Sequence, residues 1–443
     1  MKHVVVMLPG IMGSELRLGD DVIWPGPASS LLIEFKRMPD LLRPDLVATD
    51  VLRSFAGAVS IYETLILDLE ICGFHEMTRP RTLYVVPYDW RKSNYQAAGV
   101  LAKRLDDIRG EHGGDLTITL VAHSMGGLVS RCYLECGEFN GNPAFGCVRT
   151  LITIGTPHRG AAAAALYAAG VEKKLFLSRS QVQQLANDVR YPSTYELLPP
   201  EGEPFAWPHE EAAQIGVRNV YDDATADAIG LSRENLAAAR AFHRQLNPNN
   251  RPSGVRYFAF YGTHLTTITN ITLRAKGTAL GVAPMSVDSG GDGTVPVWST
   301  LPGVQSLPVG QEHMKLFRDR DLRRTLAILL GAPGKLAAPR EVVVVANERV
   351  VEPDQPVSVT LVFPGGATVV DGSVRWDQIV TDDAGKMIGL EPVGDAAVVR
   401  YSGAPAERLS LQLISPPYAG FYRIEFVDTA GTPSSPDEVV VQG

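Results

Sequence analysis

Cysteine is scarce in this chain, and the four present (Cys72, Cys132, Cys136 and Cys147) are too few for a disulfide framework in 443 residues. Cys132 and Cys136 lie four residues apart and would share a helix face, but no nearby cysteine or histidine completes a zinc-binding set. We therefore expect buried free thiols, no metal site and no cofactor.

Long apolar runs and an excess of basic residues are also lacking. The longest apolar segment, residues 161–170, falls short of the ~18 residues that cross a bilayer. A net charge of −8 argues against general nucleic-acid binding, which needs clustered Lys and Arg to contact phosphates. The start MKHVVVMLPG is broken by Pro9-Gly10 and lacks a small-residue cleavage site, so we expect no signal peptide and a cytoplasmic protein.

Short runs rich in Val, Ile and Leu alternate with helical patterns over the first three quarters of the chain. Strands are predicted at residues 3–8, 82–89, 116–122, 148–155 and 255–262, and helices at 94–109 and 125–136. Strands that are apolar on both faces and separated by helices are typical of a parallel sheet covered on each side. We therefore predict an α/β domain over residues 1–335.

Two intervals within this domain are too long to be simple crossovers. Residues about 14–58 and 159–254 contain enough apolar and aromatic residues to predict ordered insertions rather than disordered linkers. Near residues 331–340 the pattern changes to period-two runs punctuated by Pro and Gly, such as PVSVTLVF and FYRIEFVD. This change predicts a second domain over residues 340–443, an all-β sandwich of immunoglobulin type.

The stretch LTITLVAHSMGGLVSRCYLEC turns sharply from a strand pattern to a helix pattern at Ser124. A serine on a strained turn between a strand and a helix is the nucleophile elbow of α/β-hydrolases. The positions two residues before and after the serine must be small, and Ala122 and Gly126 satisfy this requirement. The sequence thus indicates a nucleophile at Ser124, the alternative being an ordinary serine-containing turn.

A serine hydroxyl needs an adjacent base, and in this fold the chain order is Ser, then Asp or Glu, then His. Of the nine histidines only His313 lies beyond residue 264, between a predicted last strand and a final helix. His123 is the rival by proximity, but its side chain should point away from the serine hydroxyl. Asp288 and Asp292 both precede His313 in a Gly-rich turn; Asp292 is favoured, and a calcium loop there would have too few ligands.

Acyl transfer also needs backbone donors for a developing oxyanion. The N–H of Met125, directly after the serine, supplies one donor. The loop LPGIMG after the first predicted strand offers a second, for which we choose Ile11. Taken alone, this loop would be an ordinary strand-ending turn.

Seven motifs occur in an order that resembles the lecithin:cholesterol acyltransferase-like family of α/β-hydrolases, which includes lysosomal phospholipase A/acyltransferase and bacterial lipase/acyltransferase relatives. They are LPGIMGSEL, PYDWR, AHSMGG, GTPHRG, YELLP, GDGTV and EHMKL, and the likeness covers roughly residues 3–330. The resemblance implies that Ser124, Asp292 and His313 form a catalytic triad and that Ile11 with Met125 forms the oxyanion hole.

The resemblance further implies a membrane-contacting cap in the first insertion and a lid in the second. We expect Met12, Trp24, Thr156 and His158 to line the substrate pocket or contact a membrane. Asp89 and Arg91 of PYDWR are interpreted as architectural. The leader and cap disulfide of secreted members are absent, so their extracellular setting is not inherited. The C-terminal sandwich lies outside the resemblance. Whether it binds a protein partner is left open.

The expected substrate class depends on the family resemblance and on one cluster of apolar residues. Residues 22–35 contain Trp24, Leu31, Leu32, Ile33 and Phe35, which are either exposed for lipid contact or packed on the core. We expect a serine acylhydrolase or acyltransferase of lipid esters, such as glycerophospholipids, with peripheral membrane contact as an option. An esterase of small soluble esters, expected if Trp24 and its neighbours are buried, and an inert scaffold that binds through the sandwich are the alternatives.

Overall fold

The structure, a computed structural model, describes residues 2–27, 32, 34–55, 57–208, 218–276, 279–336, 342–382 and 387–443. The chain forms two compact units. The first comprises Met1–Trp24, Arg37–Val51 and Leu65–Lys335, and the second comprises Pro25–Lys36, Leu52–Thr64 and Leu336–Gly443.

Two short segments, 25–36 and 52–64, therefore belong to the second unit, although both fall within the predicted first domain, residues 1–335. The first lies inside the predicted cap, about 14–58, and the second extends beyond its end. Within the second unit, the backbone N–H of Gly443 donates to the carbonyl oxygen of Leu32 at 3.0 Å. A contact between residues so far apart in sequence leaves no periodic signal.

The first half of the chain alternates strands and helices. In order the elements are β1 (Lys2–Leu8), β2 (Ser14–Leu18), β3 (Asp21–Trp24), α1 (Met38–Leu41), β4 (Val47–Val51), β5 (Ser54–Phe55), β6 (Val59–Ser60), α2 (Glu63–Ile71), β7 (Leu83–Val85), α3 (Asn94–His112), β8 (Leu116–His123), α4 (Met125–Glu135), β9 (Val148–Ile154), α5 (Ala163–Ala168), α6 (Arg179–Asn187), α7 (Ser193–Glu196) and β10 (Ala206–Pro208).

The second half ends in strands. Its elements are α8 (Asp223–Ala228), α9 (Arg233–Gln245), β11 (Arg256–Gly262), β12 (Leu265–Lys276), β13 (Ala279–Gly291), β14 (Gln305–Val309), α10 (Arg320–Leu329), β15 (Val343–Ala346), β16 (Val350–Val351), β17 (Pro356–Thr381), β18 (Met387–Ile414), β19 (Gly420–Asp428) and β20 (Asp437–Val441). A 3₁₀ helix, His313–Arg318, precedes α10.

The core of the first unit is a six-stranded sheet in the order β14-β11-β9-β8-β1-β7, with every neighbouring pair parallel. The side chains of Val4–Leu8 in β1 are fully buried, as expected for strands covered on both faces. The register brings Leu8 of β1 beside Ala122 of β8, so the loops that follow these two strands start side by side. The predicted α/β-hydrolase fold is confirmed.

The two long intervals contain ordered structure. The first holds the antiparallel sheet β3-β2-β4, and the second holds helices α5 to α9 around a cluster of buried apolar side chains that includes Leu166, Tyr195 and Leu236. Ser232 caps α9 by accepting a hydrogen bond from the N–H of Asn235.

A long antiparallel hairpin, β12–β13, lies between β11 and Asp292, and the sequence analysis did not predict it. Strand β12 also pairs with β10, so the hairpin extends the second insertion with a three-stranded sheet. The Thr/Ile alternation of LTTITNITLRAK is the period-two signal that marks this strand.

The C-terminal region is all β, which confirms that part of the predicted fold. Strands are hydrogen-bonded in the order β15-β17-β19-β20-β16, and β18 pairs with β17. The pairing of β17 with β18 is interrupted by register shifts, the first of them between Val362 and Ala367. Leu361 before this shift and Trp376 after it join the same apolar core.

Among the described residues, no helix is long and apolar enough to span a membrane. All four cysteines are unpaired; Cys136 is half-buried and the other three are buried.

Candidate active site

Ser124 lies where β8 ends and α4 begins, at the carboxyl edge of the central sheet. Its backbone has φ 52° and ψ −126°, a left-handed conformation that is strained for a residue with a side chain. The N–H of Ser124 donates to the carbonyl oxygen of Ile154 in β9 at 2.8 Å, and its carbonyl accepts from the N–H of Gly127 at 3.0 Å. The turn is thus held from both sides, as in a nucleophile elbow.

Two glycines allow the loop after β1 to approach this turn. A Cβ on Gly126 would lie 2.5 Å from the carbonyl oxygen of Pro9 and 2.9 Å from that of Leu8. A Cβ on Gly10 would lie 2.8 Å from the Cβ of Ser124. All three distances are shorter than real Cβ contacts, so a side chain at either glycine would force the loop and the elbow apart.

The structure brings Ser124, His313 and Asp292 into one hydrogen-bonded chain. Nε2 of His313 lies 2.9 Å from Oγ of Ser124, and Nδ1 of His313 lies 2.8 Å from Oδ2 of Asp292. All three side chains are buried. Their elements are far apart in sequence but meet at the carboxyl ends of parallel strands.

Asp292 is fixed on both carboxylate oxygens. While Oδ2 faces His313, Oδ1 accepts hydrogen bonds from the backbone N–H groups of Thr294 (3.0 Å) and Val295 (2.7 Å). The carbonyl oxygen of Asp292 also accepts from the N–H of His313 at 3.0 Å. The Gly-rich turn therefore aims one oxygen at the imidazole and uses the other to hold its own shape.

The two alternative candidates for the acid and the base, Asp288 and His123, do not take part in this hydrogen-bonded chain. Asp288 is in β13, where its carboxylate accepts from the hydroxyl of Thr266. His123 is fully buried, and its Nε2 donates to the carbonyl oxygen of His313 at 3.0 Å rather than facing the serine hydroxyl. Burial, and then the neighbouring His313, lower the pKa of His123 to about 3, so its ring is neutral near pH 7. It supports the backbone of His313, a role that the sequence analysis did not predict.

Ile11 and Met12 occupy the middle of a turn in which the N–H of Gly13 donates to the carbonyl oxygen of Gly10 at 3.1 Å. Met125 is the first residue of α4, where a backbone N–H has no acceptor within the helix. Neither the N–H of Ile11 nor that of Met125 has a hydrogen-bond acceptor among the described residues. Both donors are therefore available to a ligand.

The PYDWR motif holds this loop in place. The hydroxyl of Tyr88 donates to the carbonyl oxygen of Pro9 at 2.8 Å, and Nε1 of Trp90 donates to that of Ser14 at 3.2 Å. The two residues of this motif that were predicted to be architectural are Asp89 and Arg91. They form a bidentate ion pair with distances of 2.8 and 2.7 Å, and Arg91 also binds the carbonyl oxygens of Leu41 and Arg43, so their role is architectural.

Trp24 is fully buried, so of the two interpretations of the apolar cluster its side chain follows core packing and not membrane contact. Its Nε1 donates to the carbonyl oxygen of Met12 at 2.9 Å, and its ring packs against Trp90 (5.4 Å between centroids) and Phe176 (6.3 Å). An indole that fills a packed interior is stabilised by apolar burial, which the residue types alone could not distinguish from an exposed patch.

The neighbours of Trp24 in the apolar cluster are only partly described. Phe35 is buried and Leu32 is half-buried, while Leu31 and Ile33 lie outside the described residues. Met12 is also buried and has φ 60° in the turn after β1.

Thr156 and His158 follow β9 and are both buried, near the elbow but not in the hydrogen-bonded chain of three. A Cβ on Gly127 would lie 2.1 Å from Oγ1 of Thr156, so this side chain packs against the start of α4. Nε2 of His158 lies 3.0 Å from Oγ1 of Thr153. Burial, together with Arg131 and Arg251, lowers the pKa of His158 well below its usual value.

A serine hydroxyl, an imidazole and a carboxylate in this order can transfer the hydroxyl proton to the ring and keep the resulting imidazolium paired. Within the described residues, no group of three or more His, Cys, Asp or Glu side chains is placed to hold a metal ion.

Comparison with known proteins adds independent information. The family model described as lecithin:cholesterol acyltransferase matches residues 35–238, which include the elbow. Two relatives from Arabidopsis thaliana are each 25% identical to this chain. Phospholipase A(1) LCAT3 aligns over 60% of this chain and 69% of its own length. Lecithin-cholesterol acyltransferase-like 4 aligns over 78% of this chain and 70% of its own length. The chain thus has an α/β-hydrolase fold and is similar to lecithin:cholesterol acyltransferase-like proteins.

Two solved structures also resemble this chain. The crystal structure of the Tle4-Tli4 complex is 16% identical with a TM-score of 0.47, covering 74% of this chain and 98% of that one. The Bacillus licheniformis lipase BlEst2 in its mature form is 16% identical with a TM-score of 0.36, covering 74% and 92%. The fold assignment rests on the sheet order and not on these scores.

Proposed function

We propose that the chain is a serine-dependent acylhydrolase or acyltransferase in which Ser124 is the nucleophile, His313 the general base and Asp292 the residue that orients the imidazole. The observation that carries this proposal is the pair of hydrogen bonds at His313. Its Nε2 lies 2.9 Å from the Ser124 hydroxyl, which donates, and its Nδ1 donates to Oδ2 of Asp292 at 2.8 Å. The family model supports the part of the assignment that falls within residues 35–238, which is Ser124.

In the proposed acylation step, His313 takes the proton of the Ser124 hydroxyl as Oγ attacks the carbonyl carbon of an ester. The carbonyl π-electrons move to oxygen, and the N–H groups of Ile11 and Met125 stabilise the resulting anion. Collapse expels the alcohol, which receives the proton from His313. In the second step water or another alcohol attacks the acyl-serine in the same way, giving a free acid or a new ester.

For the substrate we propose lipid esters, with glycerophospholipids as the leading class. The name of one relative, a phospholipase A(1), supports this choice. One observation favours the second candidate, an esterase of small soluble esters: Trp24 and Phe35 are buried, so neither offers an apolar surface for lipid contact.

We further propose a cytoplasmic protein with peripheral membrane contact; a protein partner of the C-terminal unit stays a prediction.

The nucleophile is tested by labelling with a fluorophosphonate probe, followed by mass mapping of the modified peptide. Ser124→Ala should abolish labelling. The matched control is Ser130→Ala, on the same helix, where the hydroxyl donates to the carbonyl oxygen of Gly126 at 2.9 Å; it should still be labelled. A folded wild-type chain that does not react with the probe would contradict the enzyme proposal and favour the inert scaffold.

The substrate class is tested by measuring the rate per enzyme for one short-chain ester and for phospholipid vesicles. A lipid enzyme should gain activity when substrate passes from monomers to aggregates, whereas a soluble esterase should not. Mass spectrometry of the products, with and without an added long-chain alcohol, separates the two outcomes of the second step. Free fatty acid alone indicates hydrolysis, and a new ester indicates transfer.

A further inference from the structure

A tight turn in the second insertion carries the charged side chain of Lys174. Lys174 and Leu177 exchange two backbone hydrogen bonds, with N···O distances of 3.2 and 3.0 Å. Leu175 between them has φ 50°, a left-handed conformation that is strained for a leucine. Strain of this kind persists only where the surrounding structure fixes the chain, so the turn is held in one conformation.

The turn is anchored to the loop that holds the proposed second oxyanion donor. Phe176 is 1% exposed, and its ring centroid lies 6.3 Å from that of Trp24. The indole of Trp24 in turn donates to the carbonyl oxygen of Met12, the residue after Ile11. A single buried side chain therefore connects the turn to the loop after β1.

Lys174 is half-buried and has no acid partner. Its Nζ lies 5.5 Å from the centroid of the Tyr167 ring in α5, which is within the range of a cation–π contact. Among the described residues, no carboxylate lies within the ~4 Å of a salt bridge from this ammonium. An ammonium has three N–H donors and one ring faces only one side of it, so donors remain for a ligand.

Two carboxylates next to the imidazole act on the ammonium of Lys174. Burial opposes its positive charge, but Tyr167, Glu312 and Asp292 outweigh burial and raise its pKa above the usual value of a lysine. Glu312 directly precedes His313 in the chain, and Asp292 accepts from Nδ1 of His313. The ammonium is therefore cationic at pH 7 and lies on the side of the site that holds the imidazole.

That side of the site is where the alcohol leaves. In the proposed acylation step His313 gives its proton to the departing oxygen, so the alcohol part of the ester must lie against Nε2. In a glycerophospholipid this alcohol carries the phosphate, whereas in a neutral glyceride it carries no charge. An ammonium without an acid partner binds phosphate oxygens through charge-assisted hydrogen bonds.

We propose that Lys174 binds the anionic group of the leaving alcohol, which is the phosphate in a glycerophospholipid, and so selects esters of phosphorylated alcohols over esters of neutral ones. This inference rests on the proposed function, because it assigns a binding role in the same acyl-transfer reaction.

The test compares soluble esters that differ in the position of a negative charge, so that no lipid aggregate is needed. Butyryl glycerol has a neutral leaving alcohol, and butyryl glycerol phosphate has an anionic one. Ethyl butyrate and monoethyl succinate give the same contrast on the acyl side. For the parent chain, kcat/KM should be higher for the phosphorylated ester than for butyryl glycerol.

Three variants locate the effect. Lys174→Met removes the charge but keeps an unbranched chain of similar length, and it should lower the ratio of the two glycerol-ester kcat/KM values about tenfold. Lys174→Arg keeps the charge and should retain most of the ratio. Lys173→Met, at the exposed neighbouring position, is the matched control and should keep the parent's ratio. The ratio of monoethyl succinate to ethyl butyrate should not follow the loss in Lys174→Met, because its charge lies on the acyl side.

The inference is overturned if the parent shows no preference for the phosphorylated ester, if Lys174→Met keeps the parent's ratio, or if the acyl-side ratio falls equally. Reaction of each chain with the fluorophosphonate probe reports separately on Ser124. A labelled parent that hydrolyses both glycerol esters equally keeps the proposed function and loses this inference. A folded parent that neither reacts with the probe nor hydrolyses any ester contradicts the proposed function, and the inference falls with it.

Discussion

Gly126→Ala should strongly impair activity while leaving the chain folded. Activity should fall because the added methyl group meets backbone atoms, which cannot rotate away as a flexible side chain can. Its Cβ would lie 2.5 Å from the carbonyl oxygen of Pro9, whereas ordinary contacts begin at 3.4 Å. The difference, 3.4 minus 2.5, requires the loop after β1 to move by about 0.9 Å. That loop carries Ile11, whose N–H is the proposed second oxyanion donor.

The expected loss can be worked from this displacement. A misplacement of about 1 Å near reacting atoms costs on the order of 10²-fold in rate, and removal of one oxyanion donor costs about 10²–10³-fold. We therefore expect kcat/KM to fall about 10²-fold, which corresponds to about 2.7 kcal/mol of transition-state stabilisation. Overpacking should lower the free energy of unfolding by about 1–3 kcal/mol.

The assay is hydrolysis of a short-chain ester under conditions in which urea denaturation shows the variant to be fully folded. Gly110→Ala is the matched control: Gly110 lies within helix α3, and no heavy atom lies within 4 Å of its added Cβ. It should keep full activity and gain up to about 1 kcal/mol of stability. A folded Gly126→Ala chain with kcat/KM within about threefold of the parent would refute the steric reasoning.

Three further predictions concern buried polar groups. Asp292→Asn should lower kcat about 10⁴-fold, because an amide N–H facing Nδ1 of His313 favours the wrong tautomer, while Asp288→Asn should change the ester-hydrolysis rate little. Burial raises the pKa of Glu196 from 4.5 to about 7. Its contribution to the free energy of unfolding, about 3 kcal/mol, is therefore complete below pH 4.5 and is lost as the pH rises through 7. Glu196→Gln should remove this change and so flatten the pH dependence of stability measured by urea denaturation. His123→Phe removes the hydrogen bond to the His313 carbonyl oxygen and should cost about 1–3 kcal/mol in the same assay.

Each of these predictions has a contradicting result. Equal losses for Asp292→Asn and Asp288→Asn would remove the orienting role from Asp292. Parallel stability curves for the parent and Glu196→Gln between pH 5 and 8 would show that Glu196 is ionised at neutral pH. An unchanged unfolding free energy for His123→Phe would show that its hydrogen bond makes no net contribution.

The sequence was most informative where local geometry constrains residue type. The elbow requires a strand, a serine that tolerates positive φ and a tiny residue two positions on, and Gly126 follows from the close approach of Pro9. The choice of His313 followed from chain order, because only one histidine remained in the required interval. The parallel sheet was predictable because strands buried on both faces are apolar throughout.

Long-range packing left no comparable signal. A Trp among Leu and Ile residues fits an exposed lipid-binding patch as well as a buried core, and only the contacts of Trp24 with Trp90 and Phe176 decide between them. His123 was judged only by its direction relative to the serine. Its actual partner, the carbonyl oxygen of His313, is 190 residues away in sequence.

The burial of Trp24 bears directly on how a lipid could reach the elbow. Its indole binds the carbonyl oxygen of Met12 in the proposed oxyanion loop and contacts Phe176 in the second insertion. A displacement of the 174–177 turn would therefore remove one ring contact of Trp24 without breaking the hydrogen bond that fixes the loop. If the enzyme acts on aggregated lipid and the second insertion is the lid that the family resemblance implies, Phe176→Ala should change the rate with vesicles more than the rate with a short soluble ester. Equal effects on both substrates would favour the soluble-ester alternative, in which the buried indole is simply part of a rigid site.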